Sequence, residues 1–133
     1  MAAQKVICDT DVLIEYFDKK KTRHLQSKTL IEEIGIDNVL ISAISKMELI
    51  KGTLHKEHSQ QVAKNLKRFD TILLNPEITY RAIELLNTHH LSHGLAIPDA
   101  SIAATSIETG LNLFTYNIRD FHFIKALKLY YST

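Results

Sequence analysis

The sequence predicts an α/β fold in which helices cover both faces of a central, mostly parallel sheet. Short apolar segments recur along the chain without alternating with polar residues, as strands buried on both faces do. Segments with the apolar spacing of helices separate them, which favours parallel crossover connections over hairpins. The chain has 133 residues, 45% of them hydrophobic, enough for one compact core. We therefore predict a single domain over residues 1–133.

The first half of the chain alternates strands with helices. The apolar run Val6–Cys8 predicts a strand that stops at Asp9. Gly35 marks the end of a helix, because glycine accepts the positive φ common just past a helix C-terminus. The predicted elements are a strand at 6–8, helices through 12–17 and 25–34, a strand at 39–41, a helix from 42–45 to 54, and a helix over 57–68.

The second half begins with a strong helix start. Asn75 supplies a capping side chain, Pro76 suits the first helical position, and Glu77 is an acid in the first turn. A later helix opens near Asp99 and stops at Gly110. The predicted elements are a strand at 72–74, helices over 75–91 and 98–109, and strands at 111–115 and 127–131.

Acidic residues follow the predicted strands or open the next helices. Asp9 closes the first strand, Glu48 lies in the first turns after the second, and Asp99 opens the late helix. Asn117 and Asp120 follow the strand at 111–115. Because ligands of parallel sheets bind beyond the carboxyl ends of the strands, we expect these residues to converge. Such an oxygen-only donor set suits Mg²⁺ or Mn²⁺ better than zinc.

A divalent ion in such a site can orient a phosphodiester, generate a hydroxide nucleophile and stabilise the charge on the reacting oxygens. In this hypothesis Asp9 and Asp99 are the main metal ligands. Glu48 binds the metal through water or orients the attacking water, and Asn117 or Asp120 completes the coordination.

Four segments resemble the signature blocks of VapC-type PIN domains and occur in the family's order. They are VICDTDVLI at 6–14, ISAISKMEL at 41–49, PDASIAA at 98–104 and TYNIRDF at 115–121. The resemblance implies a PIN-like three-layer α/β/α sandwich and Mg²⁺- or Mn²⁺-dependent endoribonuclease activity. It also implies a homodimer and a cognate antitoxin that presents a C-terminal segment to the active site.

The chain departs from this family pattern at two places. Asp11 stands where the family more often has asparagine, which adds a negative charge beside Asp9. Asn117 occupies a position where some members carry a carboxylate, and Asp120 follows it three residues later. One helical turn separates these two side chains, so both can face the crevice.

Each acid also has a structural interpretation. Asp9 and Asp11 could cap the next helix, Ser45-x-x-Glu48 fits a capping box, and Asp99 suits the first turn of a helix. Two alternative functions stay open. One is a HAD-type phosphotransferase with Asp9 as nucleophile and Asp11 as acid–base group. The other is a catalytically inactive PIN-like module that binds RNA or protein.

Charge predicts that any contact with RNA is local. With 16 Lys and Arg against 15 Asp and Glu, the net charge is only +1, too small for indiscriminate binding to nucleic acid. The candidate RNA contacts are Thr10, Asp11, Lys20, Lys21, Arg23, Lys46 and Arg119. The aromatic residues interpreted as core or dimer surface, rather than as base-stacking platforms, are Tyr16, Phe17, Tyr130 and Tyr131.

The remaining features favour a cytoplasmic protein without a membrane segment. Cys8 is the only cysteine, so no internal disulfide can form, and its place in the first strand predicts burial. No apolar stretch is long enough to span a bilayer or to serve as a signal peptide. His89 and His93 are four residues apart, but we interpret them as a solvated helix end rather than a metal site.

Overall fold

The computed structural model describes residues 4–131 and contains one parallel four-stranded sheet. Its strands are β1 (Val6–Cys8), β2 (Val39–Ser42), β3 (Asp70–Ile72) and β4 (Asn112–Phe114). Their order is β3-β2-β1-β4, and all three pairings are parallel. The predicted parallel sheet is confirmed. The predicted domain also includes residues 1–3 and 132–133, which lie outside the described residues.

Within residues 4–131, six helices connect and cover the strands. They are α1 (Thr10–Phe17), α2 (His24–Ile34), α3 (Ala43–Lys51), α4 (Lys56–Leu66), α5 (Pro76–His93) and α6 (Ile97–Thr109). Short 3₁₀ turns at Ile36–Asn38 and Ile118–Asp120 precede β2 and follow β4. In the described part of the chain, no helix is both long and apolar enough to cross a bilayer.

The two faces of the sheet bury different side chains. Val6 and Cys8 join a core built with α1, α2 and α4, whereas Ile7 and Leu113 join a core built with α5 and α6. This alternation arises because successive side chains of a strand point to opposite faces. The result is the predicted α/β/α sandwich. Cys8 is fully buried, as predicted, and burial raises the pKa of its thiol.

Two predicted strands are placed differently in the structure. The strand expected at 72–74 is β3 at Asp70–Ile72, because its ladder ends where β2 ends, at the Ser42 to Ile72 pair. The strand expected at 127–131 is wrong. Only one parallel bridge, between Leu113 and Leu129, joins this segment to the sheet. The turns that precede it limit the contact to two hydrogen bonds, made by Leu113 N and Tyr130 N.

Two helix ends also shift. The third helix was expected to reach Leu54 but ends at Lys51, where the Gly52 N–H bonds back to the Glu48 carbonyl. The long helix α5 was expected to end at Leu91 but continues to His93. Its C-cap is Gly94, whose φ of 65° is left-handed. His93 is exposed but stacks on Phe123, with ring centroids 4.0 Å apart, so this helix end is packed on one side.

Candidate functional site

Asp9 is held at the carboxyl end of the central strand. Its side chain is buried, with 6% relative exposure. One carboxylate oxygen accepts a hydrogen bond from the Thr10 N–H at 2.7 Å, and the other accepts one from the Thr115 hydroxyl at 2.8 Å. The pairing of Cys8 with Phe114 in β1 and β4 brings Thr115 beside Asp9. Asp9 therefore caps α1, as its structural interpretation proposed, and it also contacts the residue that follows β4.

Burial raises the pKa of Asp9 to about 7. The charge of Asp11 and, more weakly, that of Asp99 contribute to this rise, while the hydrogen bonds from Thr115 and Thr10 oppose it. A carboxyl with this pKa is only about half ionised at neutral pH, and a cation bound beside it would favour its charged form.

Asp99 lies in the first turn of α6 and meets the other acids. Burial, together with the charges of Asp120, Glu48 and Asp11, raises its pKa to about 6. These effects fade quickly with distance, so the four side chains share one electrostatic environment. The structure thus brings the predicted acids to one edge of the sheet, despite their separation along the chain.

Glu48 is oriented by a hydroxyl network that begins at Thr10. The Thr10 hydroxyl lies 2.7 Å from a carboxylate oxygen of Glu48 and 2.9 Å from the Ser45 hydroxyl. The N-cap of α3 is Ser42, whose hydroxyl accepts from the Ser45 N–H at 3.0 Å. The capping-box interpretation of Ser45 and Glu48 is therefore wrong. The exposed Glu48 side chain accepts a hydrogen bond from the Thr10 hydroxyl instead.

Asp11 ties α1 to the segment that follows β4. Its oxygens accept from the Val12 N–H at 2.7 Å and from the Tyr116 N–H at 3.1 Å. Burial raises the pKa of Asp11, and these hydrogen bonds, together with the nearby Arg23 charge, oppose that rise. The additional acid at this position is thus partly compensated by its own surroundings.

Asn117 and Asp120 act as a pair. The Asn117 side-chain amide donates a hydrogen bond to a carboxylate oxygen of Asp120 across the 3₁₀ turn. Asp120 in turn is the acid whose charge acts most strongly on Asp99. The turn therefore directs Asp120 toward the acidic edge, with Asn117 as its hydrogen-bond partner.

The donors fit a hard divalent cation in kind, because they are carboxylate and amide oxygens without an accompanying thiolate. Among residues 4–131, however, no three His, Cys, Asp or Glu side chains are arranged to hold a metal ion. Several of these carboxylates accept hydrogen bonds from neighbouring side chains instead, from Thr115, Thr10 and Asn117. The predicted metal ligands Asp9, Glu48, Asp99, Asn117 and Asp120 therefore stay a prediction.

The predicted basic contacts lie in different places around this edge. Lys21 lines a groove of about 520 Å³ between α1, α3 and α4, and Glu48 lines the same groove. Arg23 lies over the ring of Tyr116, on the side of α2. Lys20, Lys46 and Arg119 are exposed.

Sequence reasoning missed three residues of the site. Thr115 donates to Asp9, Ser45 contacts Thr10, and the Tyr116 N–H donates to Asp11. Thr115 ends a predicted strand, so its position was a signal, but only the pairing of β1 with β4 makes it a neighbour of Asp9. The sequence alone does not specify that pairing.

Comparisons with known proteins agree with this architecture. The family model of the PIN domain matches residues 6–126. The chain is 31% identical over 138 residues to Ribonuclease VapC1 of Methanocaldococcus jannaschii, an alignment that covers 95% of this chain and 87% of the relative.

Solved structures show the same fold. A chain of a toxin–antitoxin complex from Klebsiella pneumoniae superposes with a TM-score of 0.77 at 27% identity, covering 97% of this chain and 100% of that one. A chain of VapBC2 from Rickettsia felis, bound to a promoter DNA fragment, gives a TM-score of 0.74 at 24% identity, covering 98% and 100%.

Proposed function

Because the chain belongs to the PIN-domain family and is VapC-like, we propose that it is a metal-dependent endoribonuclease and the toxin of a toxin–antitoxin pair. The observation that carries this proposal is the convergence of Asp9, Glu48, Asp99 and Asp120 at the carboxyl edge of the sheet. The pKa values of Asp9 and Asp99 are raised by burial and by neighbouring acids. Buried acids that repel one another are typical of sites that bind a cation.

A bound Mg²⁺ or Mn²⁺ would supply Lewis acidity and an activated water for phosphodiester hydrolysis. Asp9 and Asp99 would hold the ion, with Glu48 and the Asn117–Asp120 pair completing its surroundings. Thr115 and the Thr10 N–H fix both oxygens of Asp9. The Thr10 hydroxyl orients Glu48, so that this carboxylate can position a water at the edge of the site.

The antitoxin would occupy the groove between α1, α3 and α4. Solved relatives of this fold include toxin–antitoxin complexes, and the groove offers apolar surface to a partner. Ile14 is 42% exposed and Leu54 is 84% exposed along it. Because Glu48 lines the same groove, a segment of antitoxin seated there would reach the acidic edge and block RNA.

We also infer a homodimer and a cytoplasmic location. Tyr80, Ile83 and Leu91 form an exposed apolar stripe on α5, at spacings that place them along one side of the helix. A second copy of the chain would cover such a stripe.

The single buried cysteine is consistent with a reducing compartment.

The experiment is cleavage of single-stranded RNA by purified, antitoxin-free protein. We expect cleavage with Mg²⁺ or Mn²⁺, arrest by a chelator, and recovery when the metal is restored. Asp9→Asn and Asp99→Asn should each lower the rate by at least about 100-fold, because replacing a carboxylate ligand by a neutral amide removes transition-state stabilisation. Asp37→Asn is the matched control, since Asp37 is exposed at the opposite end of β2.

Three outcomes would contradict this proposal. Equal cleavage by the Asp9→Asn and Asp99→Asn proteins would assign the activity to a contaminant. Binding of RNA without cleavage in either metal would favour the inactive binding module. Formation of an aspartyl-phosphate on Asp9 would favour the phosphotransferase.

A further inference from the structure

A second groove lies on the other side of the acidic edge. It has a volume of about 350 Å³, within the range of roughly 300–1,000 Å³ usual for small-ligand sites. Residues at the start of α2, including Arg23 and Gln26, line it together with Tyr116, Tyr130 and Tyr131. One arginine and three tyrosines thus contribute to the lining of this groove.

Its central feature is a guanidinium group stacked on an anchored ring. The Arg23 guanidinium carbon lies 4.6 Å from the Tyr116 ring centroid. The Tyr116 hydroxyl is 2.7 Å from the buried Ser27 hydroxyl, and its ring meets Phe114 edge-on with centroids 5.5 Å apart. Arg23 itself is exposed, so a flexible cation is held in one place while remaining accessible to a ligand.

The groove is joined to the candidate catalytic edge through the backbone. The Tyr116 N–H donates to Asp11, and the preceding residue, Thr115, donates to Asp9. Thr115 and Tyr116 both line the groove, so the same two residues contact a ligand there and two of the acids. Arg23 is close enough to Asp11 for its charge to act on that carboxyl.

We propose that this groove is a nucleotide subsite for the RNA substrate, in which the base next to the scissile phosphate stacks on the Arg23–Tyr116 pair. This inference rests on the proposed function. Unpaired bases are recognised by stacking on aromatic rings and guanidinium planes, and phosphates by arginine. Tyr131, 66% exposed, offers a second ring at the wall. The proposal gives Tyr131 a base-stacking role, as an alternative to the core or dimer surface expected from the sequence.

The test measures the binding of an RNA dodecamer of mixed sequence that carries one 2-aminopurine. The fluorescence of the 2-aminopurine reports binding, and the buffer contains EDTA. Arg23→Ala should weaken binding by roughly 5-fold or more, the lower end of a stacking contribution. Arg68→Ala is the matched control. Arg68 also lies over a tyrosine ring, 5.7 Å from the Tyr16 centroid, and donates to its hydroxyl at 2.8 Å, but it does not line this groove. We expect that control to change binding less than about 2-fold.

An abasic scan along the dodecamer then identifies the base involved. Removing the base at one position should weaken wild-type binding by a factor similar to that of Arg23→Ala. Combining both changes should cost no more than either alone, because both remove the same contact. Arg23→Lys should resemble Arg23→Ala in this scan, since lysine keeps the charge but has no stacking plane.

Equal losses for Arg23→Ala and Arg68→Ala, or additive losses at every abasic position, would overturn the subsite. Because binding is measured in EDTA, it is independent of catalysis. Absence of cleavage with Mg²⁺ or Mn²⁺ would therefore defeat the proposed nuclease while leaving the binding result to decide the subsite. Cleavage by the wild type with no coupling at Arg23 would defeat the subsite alone.

Discussion

At the scale of single residues, Thr10 supplies two different groups to the site. Its backbone N–H donates to Asp9, and its hydroxyl lies between Glu48 and Ser45. Only the second contact depends on the side chain. Substitution at this position can therefore separate the orientation of Glu48 from the anchoring of Asp9.

We expect Thr10→Val to lower the cleavage rate by about 10-fold, the usual cost of losing a group that orients a metal-site residue. Valine keeps the shape of threonine but cannot bond to Glu48. Thr10→Ser keeps the hydroxyl and should retain most of the activity. Single-turnover cleavage measures both variants, and equal rates for serine and valine would show that Thr10 does not position Glu48.

Asp9 also makes the stability of the metal-free protein depend on pH. Its folded pKa of about 7 is above the ordinary value of 3.8. The folded state therefore holds this proton more tightly than the unfolded state, and stability falls as pH rises from about 4 to about 7. Above that window the loss is complete, and below it the loss disappears.

Asp9→Asn should therefore raise the melting temperature of the metal-free protein at pH 8, with a much smaller gain at pH 4.5. A gain on the order of 1 kcal/mol corresponds to roughly 3–5 °C for a domain of this size. Thermal denaturation in EDTA at both pH values measures it, with Asp37→Asn as the control. A destabilised Asp9→Asn protein at pH 8 would mean that the hydrogen bonds to Asp9 outweigh its charge.

The site residues that the sequence could predict are those whose side-chain chemistry and position in the chain both suggest a site at the carboxyl ends of the strands. Asp9 follows β1, Glu48 lies in the second turn of the helix after β2, and Asp99 lies in the first turn of α6. Their convergence is expected for a parallel sheet. The partners Thr115 and Ser45 could not be predicted in the same way. Their contacts depend on strand register and on which hydroxyl caps α3, and both are set by tertiary packing.

At the scale of elements, the start of α5 shows how local sequence specifies structure. The Asn75 side chain accepts a hydrogen bond from the Ile78 N–H at 2.8 Å, and Pro76 occupies the first turn. The helix therefore begins where the sequence predicts. The final strand fails for the opposite reason, because residues 127–131 have strand character but find only one bridge to β4.

Asn75→Ala should destabilise the protein by about 1 kcal/mol, the typical cost of losing an N-cap. Asn75→Asp keeps an acceptor at this position and should stay close to wild type. Urea denaturation measures both, and RNA cleavage should not change in either. A neutral alanine variant would show that solvent satisfies the first turn of α5 as well as Asn75 does.

At the scale of the whole molecule, acidic and basic side chains lie in separate places although the protein has little net charge. The net charge is +1, but acids gather at one edge of the sheet while Lys21 and Arg23 flank it on separate grooves. RNA binding should therefore depend on salt through a small number of phosphate contacts. The logarithm of affinity falls by roughly 0.7 per contact for each tenfold rise in salt on single strands.

The double variant Lys20→Ala/Lys21→Ala should reduce the slope of log affinity against log salt by roughly 1.4, if each lysine contacts one phosphate. Binding of the RNA dodecamer between 50 and about 300 mM salt measures the slope. Lys125→Ala is the control, because Lys125 is also exposed but lies outside the segment between α1 and α2 that carries Lys20 and Lys21. An unchanged slope in the double variant would remove these lysines from the RNA path.

In the order β3-β2-β1-β4, β1 lies in the interior of the sheet although it precedes the other three strands along the chain. Asp9 then receives its Thr115 hydrogen bond from a residue 106 positions later in the chain. At elongation rates of roughly 5–20 residues per second, a ribosome spends several seconds before that partner emerges. A chain that ends before β4 lacks Thr115 and Asp120, and with them the side-chain hydrogen bond to Asp9 and the acid that acts most strongly on Asp99. On the proposed function, we expect such a fragment not to cleave RNA.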